Sequence, residues 1–250
     1  MNPVVCTSYF TLKPHPNDPK DAAVVGRGED GFVLKDSILY IAPWYDSMCD
    51  LGLDGRVFYD GLSDGFVEKY TTDKIKFVKC TPSDYSNNDW RFHCYLEHFS
   101  TYDQEFDSIF LTDGSDVTVV KDPSGILTEF PDTNLFVCQD SIKLAQFPYV
   151  KFHEDRKWPG KIKFMLNEKK WDLINMGVVG GARDNVLEFL QEFWDTRTSM
   201  GSPEFNADMW VGQYVFRFLL SSRKILIGDP FTSIFKGYEE NREDVYFIHK

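Results

Sequence analysis

The chain of 250 residues carries 27 basic and 39 acidic side chains, which gives a net charge of −12. No run of five or more basic residues occurs, and this argues against a surface that follows nucleic-acid phosphates. No stretch approaches the roughly 18 uninterrupted apolar residues of a membrane span, and the N-terminus lacks the basic and apolar regions of a signal peptide. The sequence therefore predicts a protein without nucleic-acid partners and without membrane spans.

Composition also indicates the compartment and the size of the core. Hydrophobic residues make up 42% of the chain and aromatic residues 16%, enough for a substantial core in one domain over residues 1–250. The five cysteines are widely spaced, with no CxxC pair, and no Asn-x-Ser/Thr sequon occurs. These features favour reduced thiols in the cytoplasm over a disulfide scaffold or a zinc site.

Strand-like apolar runs alternate with helical patterns in the first half of the chain. We expect strands at residues 4–10, 56–59, 74–78, 108–111, 117–120 and 134–137, and a final strand in residues 245–250. Such alternation predicts an α/β fold with a mixed, mostly parallel central sheet flanked by helices.

Four helices are predicted from apolar residues at helical spacing. The first begins at a Ser37 cap, the second near Asn88, the third at an Asp184 cap and the fourth at Asn206. The side chains expected to face inward are, helix by helix, Ile38, Ile41, Tyr45 and Met48; Phe92, Tyr95, Leu96 and Phe99; Val186, Leu187, Leu190, Phe193 and Trp194; and Trp210, Val211, Tyr214, Val215 and Phe218. The polar segments at residues 14–21 and 196–203 are interpreted as loops within the domain.

A carboxylate pair follows the predicted strand at residues 108–111. Asp113 and Asp116 stand in the sequence Thr-Asp-Gly-Ser-Asp. At the carboxyl end of a strand, where α/β folds usually bind ligands, two such acids are hard oxygen ligands for a divalent cation. The same five residues also favour a simple turn. This segment alone leaves both interpretations open.

A GxGxxG match at Gly26, Gly28 and Gly31 is the second motif. A dinucleotide site needs a strand before this motif and a helix that opens at its third glycine. Here the preceding apolar run covers only residues 22–25, and the next helix is expected at Ser37. A flexible loop that covers a site is therefore favoured over a dinucleotide-binding turn.

The order of the blocks along the chain favours one interpretation. The chain contains, in order, a strand ending at Thr7-Ser8-Tyr9, a helix with NDWRFHCYLEHF, the block FLTDGSDV, the block LINMGVVGG, a helix with NADMWVGQYV and a terminal VYFIHK. Together these blocks resemble the GT-A glycosyltransferases over nearly the whole chain. The resemblance is closest to the small nucleotide-sugar transferases of large algal viruses, and glycogenin-like enzymes are similar more distantly.

The resemblance implies a single GT-A domain with a Rossmann-like nucleotide-sugar half, about residues 1–122, and an acceptor half, about residues 123–250. It also implies Mn²⁺ or Mg²⁺ bound by Asp113, Asp116 and His249, which would stabilise the departing diphosphate. The family motif is Asp-x-Asp, whereas this chain has Asp-x-x-Asp. Either both acids reach the metal, or one grips ribose or a metal-bound water; Asp116 is favoured as the direct ligand.

Roles for other residues follow from the same blocks. Asp208 is the expected base of an inverting transfer, and a favourable charge at a helix N-terminus is its alternative. Met176 replaces an alanine of the family, which we expect to reshape the sugar pocket. Arg91 is assigned to the donor, with a surface arginine as its alternative. Among Thr7, Ser8 and Tyr9, core packing accounts for at least one residue. The donor residues are Thr7, Ser8, Tyr9, Arg91, Thr112, Asp113, Asn175, Gly177 and Lys250.

The expected activity is transfer of a hexose or pentose from a UDP-sugar to a glycan or glycoprotein acceptor, in the host cytoplasm if the protein is viral. Retention of configuration stays open, because this fold serves both outcomes. A GT-A-like nucleotidyltransferase is a second possibility, although the segment after Phe10, TLKPHPND, is not the glycine-rich basic loop that grips a triphosphate. A non-catalytic carbohydrate-binding protein is the third, but it needs neither an acid pair nor a terminal histidine.

Overall fold

A computed structural model describes residues 1–16, 26–146, 171–239 and 241–250. The strands are Pro3–Tyr9 (β1), Asp54–Tyr59 (β2), Ile75–Lys79 (β3), Ser108–Thr112 (β4), Val117–Val119 (β5), Leu135–Lys143 (β6), Asp172–Ala182 (β7), Ile225–Ile227 (β8) and Phe247–His249 (β9). The helices are Ala42–Leu51 (α1), Asp64–Tyr70 (α2), Asn87–Thr101 (α3), Ser124–Glu129 (α4), Arg183–Ser199 (α5) and Asp208–Tyr214 (α6). Short 3₁₀ turns form at Ile38–Tyr40 and Leu144–Gln146, and a π-helical turn, Val215–Leu219, follows α6.

Seven strands form the central sheet, in the order β3-β2-β1-β4-β7-β6-β8. Neighbouring strands run parallel except where β7 pairs with β4 and with β6. One buried cluster contains side chains of α3, α5 and α6, and the other contains side chains of α1 and α2. The predicted α/β fold, with a mixed and mostly parallel sheet flanked by helices, is confirmed.

The predicted strands form within a few residues of the expected bounds. The structure has two further strands, β7 and β8, which the sequence did not predict. β7 is an 11-residue strand buried over nearly its whole length, so it shows no alternation of apolar and polar residues. β8 has only three residues. The strand predicted at residues 117–120 lies outside the central sheet, since β5 pairs with β9 in a separate two-stranded sheet.

The predicted helices form, but their caps differ. Ser37 makes no side-chain cap bond, and α1 begins only after the 3₁₀ turn, with a proline in its first turn. Asp184 lies in the first turn of α5 instead of capping it, and α6 begins at Asp208, beyond Asn206. Residues 196–199, expected in a loop, are the end of α5.

The inward faces are mostly as predicted. Seven of the expected inward side chains are only half-buried. These are Ile38, Tyr45, Leu96, Leu187, Trp194, Tyr214 and Phe218. The contact between α3 and α5 is centred on Phe92 and Phe193, whose ring centroids are 4.2 Å apart. This contact fixes α3, which carries Arg91 toward the edge of the sheet.

The glycine motif forms a tight turn and no helix. Gly26 and Gly31 have φ values of 83° and 82°. These values lie in the left-handed region, which glycine adopts more readily than other residues. The amide of Leu34 donates to the carbonyl of Gly26 at 2.7 Å, so residues 26–34 fold back as a hairpin-like loop. In the described residues, no helix opens at Gly31, where a dinucleotide-binding turn would need one, and a loop forms there instead. Residues 17–25 lie outside the description.

Candidate functional site

Asp113 begins the loop that follows β4, at the carboxyl end of that strand. β4 is fixed there because the Thr112 hydroxyl donates to the carbonyl of Cys6 in the neighbouring β1 at 3.0 Å. The Asp113 amide donates to the carbonyl of Gly177 in β7 at 2.7 Å. The acid pair therefore leaves the sheet beside β1 and β7.

The C-terminal strand brings His249 to the same place. β9 pairs antiparallel with β5, and this register sets His249 opposite Val117, the residue after Asp116. The amide of Lys250 also donates to the carbonyl of Asp116 at 3.0 Å, which ties the exposed last residue to this loop. An imidazole 133 positions along the chain from Asp116 thus becomes its neighbour.

Asp113, Asp116 and His249 form a cluster that fits a divalent cation. Nε2 of His249 lies 3.7 Å from Oδ2 of Asp113 and 3.6 Å from Oδ2 of Asp116, and one ligand atom from each residue lies within 4.8 Å of the others. Nε2 of His249 and Oδ1 of Asp116 are buried without a hydrogen-bond partner. Two carboxylates and an imidazole suit Mn²⁺, and carboxylates suit Mg²⁺. Both expected metals therefore match the chemistry of the cluster.

Electrostatics in the cluster favour a positive charge between its members. Burial alone lowers the pKa of His249, but Cys138 and Asp116 outweigh burial and raise that pKa to about 10. A cation held by the three side chains would take the place of the proton on Nε2, since a ligating imidazole nitrogen must be unprotonated.

A bulge in β7 brings Gly177 against the cluster. The pairing of β6 with β7 shifts register between Val137 and Cys138, so that Val137 lies opposite Val179 and Cys138 opposite Asn175. A bulge of this kind re-aims the residues that it contains. The side-chain carbonyl of Asn175 accepts the Gly177 amide at 2.7 Å and holds the bulge closed. Asn175 also donates to Asp140, a buried acid that the sequence did not indicate, at 3.5 Å.

Arg91 links the two candidate carboxylate sites. Its guanidinium donates to Oδ1 of Asp113, and its Nη2 donates to the carbonyl of Met176 at 3.2 Å and lies 3.6 Å from Oδ2 of Asp208. Arg91 is only 5% exposed, so the alternative of a surface arginine is wrong. Burial raises the pKa of Asp208, although Arg91 acts in the opposite direction.

A buried ion pair positions the start of α6 and hence Asp208. Nε of Arg197 in α5 donates to Oδ2 of Asp89, in the first turn of α3, at 2.8 Å. Both oxygens of Asp89 also accept the amide of Ala207 at 3.2 Å, directly before Asp208. Helices α3, α5 and α6 therefore meet at one carboxylate.

A polar cleft opens beside the acid cluster. It is lined by four residues that the sequence assigned to the site, Ser8, Arg91, Asp113 and Asp116. Its other lining residues, which the sequence did not assign to the site, include His15, Tyr40, Asn87 and Asn88. Burial, Arg27 and Arg91 lower the pKa of His15 to about 4, so this imidazole is neutral at pH 7.

Four residues with expected roles in the site have buried side chains. Tyr9 is fully buried and its hydroxyl donates to the carbonyl of Ser37 at 2.7 Å, so its ring holds a loop and cannot stack on a base. The side chains of Thr7 and Thr112 are also buried. Met176 is buried, and its sulfur packs against Gly212 of α6.

Comparison with solved structures finds a match over the whole chain. One such match is the crystal structure of a glycosyltransferase involved in the glycosylation of the major capsid of PBCV-1, a chlorella virus. The likeness has a TM-score of 0.50 and 13% sequence identity, and covers 100% of this chain and 92% of that chain. Neither a scan against protein-family models nor a search of curated proteins finds a match.

The likeness confirms the predicted resemblance to a glycosyltransferase of an algal virus at the level of the fold. Both chains have the α/β architecture over nearly their full lengths, and the acid cluster of this chain lies at the carboxyl end of β4. Among the described helices, none has both the length and the apolar character needed to cross a bilayer.

Proposed function

We propose that this protein is a metal-dependent glycosyltransferase that transfers a hexose or pentose from a UDP-sugar to a hydroxyl of a glycan or glycoprotein, in the cytoplasm. The observation that carries the proposal is the cluster of Asp113, Asp116 and His249 at the edge of a glycosyltransferase-like fold. The unpartnered Nε2 of His249 supports a ligand at this position, because buried polar atoms are normally satisfied.

Asp113, Asp116 and His249 would hold Mn²⁺ or Mg²⁺, which supplies Lewis-acid stabilisation of the charge on a departing diphosphate. Both acids lie within reach of His249, which supports two carboxylate ligands despite the extra residue in Asp-x-x-Asp. Gly177 leaves the room that the cluster needs, and its bulge is held by Asn175.

The remaining residues orient the two substrates. Ser8 and Arg91 line the cleft beside the cluster, so we assign the donor to this cleft. Lys250 is also assigned to the donor, since its amide donates to the carbonyl of Asp116 in the cluster. The guanidinium of Arg91 offers planar donors to phosphate or sugar oxygens. Thr7 and Thr112 are buried and are not among the residues that line this cleft.

Asp208 is proposed as the base that takes the proton of the acceptor hydroxyl in an inverting displacement. A base must retain affinity for a proton, and burial raises the pKa of Asp208. Arg91 places this carboxylate next to the cleft, 3.6 Å from its own Nη2. The acceptor half of the domain, about residues 123–250, contributes this helix.

Donor turnover tests the proposal. Purified protein should consume one of a panel of nucleotide sugars, most readily a UDP-sugar, only when Mn²⁺ or Mg²⁺ is present. Asp116→Ala should abolish turnover and Mn²⁺-dependent UDP binding, and Asp113→Ala should impair both severely. The matched control is Asp132→Ala, since the Asp132 side chain is 85% exposed and pairs with Lys224 on the surface.

The result that overturns the proposal is unchanged activity in Asp116→Ala. Release of pyrophosphate from a nucleoside triphosphate and a sugar phosphate would instead identify a nucleotidyltransferase. Glycan binding without consumption of any donor would identify a carbohydrate-binding protein.

A further inference from the structure

A thiol faces the side of the His249 ring that points away from the acids. Sγ of Cys138 lies 3.3 Å from Nδ1 of His249, and these side chains are fully buried. Cys138 belongs to β6 and stands at the register shift against β7. This cysteine is neither a proposed metal ligand nor a proposed donor or base residue.

The proton on the imidazole must be on one particular nitrogen if His249 binds a metal. Nε2 faces Asp113 and Asp116, so Nε2 is the ligand atom and must carry no proton. A neutral imidazole then carries its proton on Nδ1, and this N–H needs an acceptor inside the protein. The acceptor within reach of Nδ1 is the sulfur of Cys138.

The surroundings of Cys138 complete the hydrogen-bond chain. Its sulfur lies 3.5 Å from the carbonyl of Gln139 and 3.8 Å from the carbonyl of Ser233, and both can accept the thiol hydrogen. The sulfur is thereby left as an acceptor for Nδ1–H.

Other contacts restrain the ring without selecting its tautomer. The ring of Phe235 packs on the imidazole with centroids 4.2 Å apart. The Ser233 hydroxyl accepts the His249 amide at 2.8 Å and donates to the His249 carbonyl at 3.2 Å. These contacts hold the backbone and the plane of the ring, but none of them reaches Nδ1.

We propose that Cys138 is a positioning residue that keeps the His249 proton on Nδ1 and so leaves Nε2 available to the metal. The inference rests on the proposed metal site. Partners of this kind contribute about 10–100-fold to metal affinity in other proteins. Loss of Cys138 should therefore weaken metal binding, although its sulfur touches neither the metal nor the substrate.

Titration with Mn²⁺ alone, with free Mn²⁺ counted by electron paramagnetic resonance, tests the proposal. Cys138→Ala should bind Mn²⁺ about 10–100-fold more weakly than wild type. Cys138→Ser should keep most of the affinity, because its hydroxyl accepts from Nδ1 in the same way. Cys94→Ala is the matched control, since Cys94 is a buried thiol of α3 whose loss also leaves a small cavity. Its Mn²⁺ affinity should equal that of wild type.

A second measurement reports the tautomer directly. With Mg²⁺ bound, long-range ¹⁵N spectra should show the His249 proton on Nδ1 in wild type and in Cys138→Ser, and a changed pattern in Cys138→Ala. Equal Mn²⁺ affinity and an unchanged tautomer in Cys138→Ala would overturn the role of Cys138 while the metal site stands. Equal Mn²⁺ affinity in His249→Ala and wild type would overturn the metal site and this inference together.

Discussion

Gly177 lies directly against the ring of His249. A Cβ atom at Gly177 would overlap that ring and would lie 2.6 Å from Oδ2 of Asp113. The absence of a side chain at this bulge is therefore a condition for the imidazole and the carboxylate to approach each other. The backbone of β7, through this glycine, forms one wall of the acid cluster.

Gly177→Ala should disrupt the cluster, because the added methyl group must displace His249 or Asp113. We expect Mn²⁺ affinity to fall by at least about tenfold, in line with other losses of positioning at metal sites. Gly65→Ala is the matched control, since Gly65 is an exposed residue of α2 whose added Cβ meets no atom within 4 Å. Calorimetry with Mn²⁺ and UDP measures both variants. Wild-type affinity in Gly177→Ala would contradict the placement of the metal.

Part of this site follows from sequence. The run of residues 108–111 followed by Asp113 and Asp116 predicts acids at the end of a strand, and the structure has β4 ending at Thr112. Local periodicity also predicts α3 with Phe92 and Phe99 inside. These features depend on neighbours along the chain, which is the information that a sequence pattern carries.

The rest depends on contacts between distant residues. Cys138 and His249 are separated by 111 positions and carry no local signal of their contact. The bulge at Gly177 arises from a register shift between two strands, and the orientation of Met176 follows from that bulge and from the space at Gly212. Tyr9 and Ser8 are adjacent in β1, so their side chains point to opposite faces of the sheet. Which of the two faces the cleft depends on how β1 packs in the sheet.

Asp89→Asn should destabilise the fold strongly. The side chains of Asp89 and Arg197 are 0% and 1% exposed, and removal of one charge leaves the other buried and uncompensated. We expect a loss of about 3–5 kcal/mol in the free energy of unfolding. Glu188→Gln breaks the exposed pair with Arg223 and should cost about 0–1 kcal/mol. Urea unfolding measures the free energy of unfolding of both variants. Equal losses would show that the buried ion pair stabilises the fold no more than the exposed pair does.

The free energy of unfolding should depend on pH through Asp103. Burial would raise the pKa of Asp103, but hydrogen bonds from Arg56 and His98 outweigh burial and lower that pKa. A lowered pKa in the folded state stabilises the fold above the pKa of the unfolded state, about 3.9, and this stabilisation disappears as the pH falls through the folded value. Asp103 has a φ of 52°, which asparagine also tolerates.

Asp103→Asn should therefore be less stable than wild type at pH 7, and the difference should shrink as the pH falls below about 4. Urea unfolding at a series of pH values measures the difference. A difference that stays constant down to low pH would mean that the charge of Asp103 contributes nothing.

Asp208→Asn tests the proposed base. Asparagine keeps the shape of Asp208 but cannot accept a proton from the acceptor hydroxyl, and loss of a general base typically costs about 10²–10⁴-fold in rate. UDP affinity should stay near that of wild type, because the donor is assigned to the cleft and the metal cluster and not to Asp208. The product of the wild-type enzyme should have the anomeric configuration opposite to that of the donor, as read by NMR. Retained configuration would rule out inversion, and normal turnover in Asp208→Asn would leave Asp208 only as the buried partner of Arg91, 3.6 Å from its Nη2.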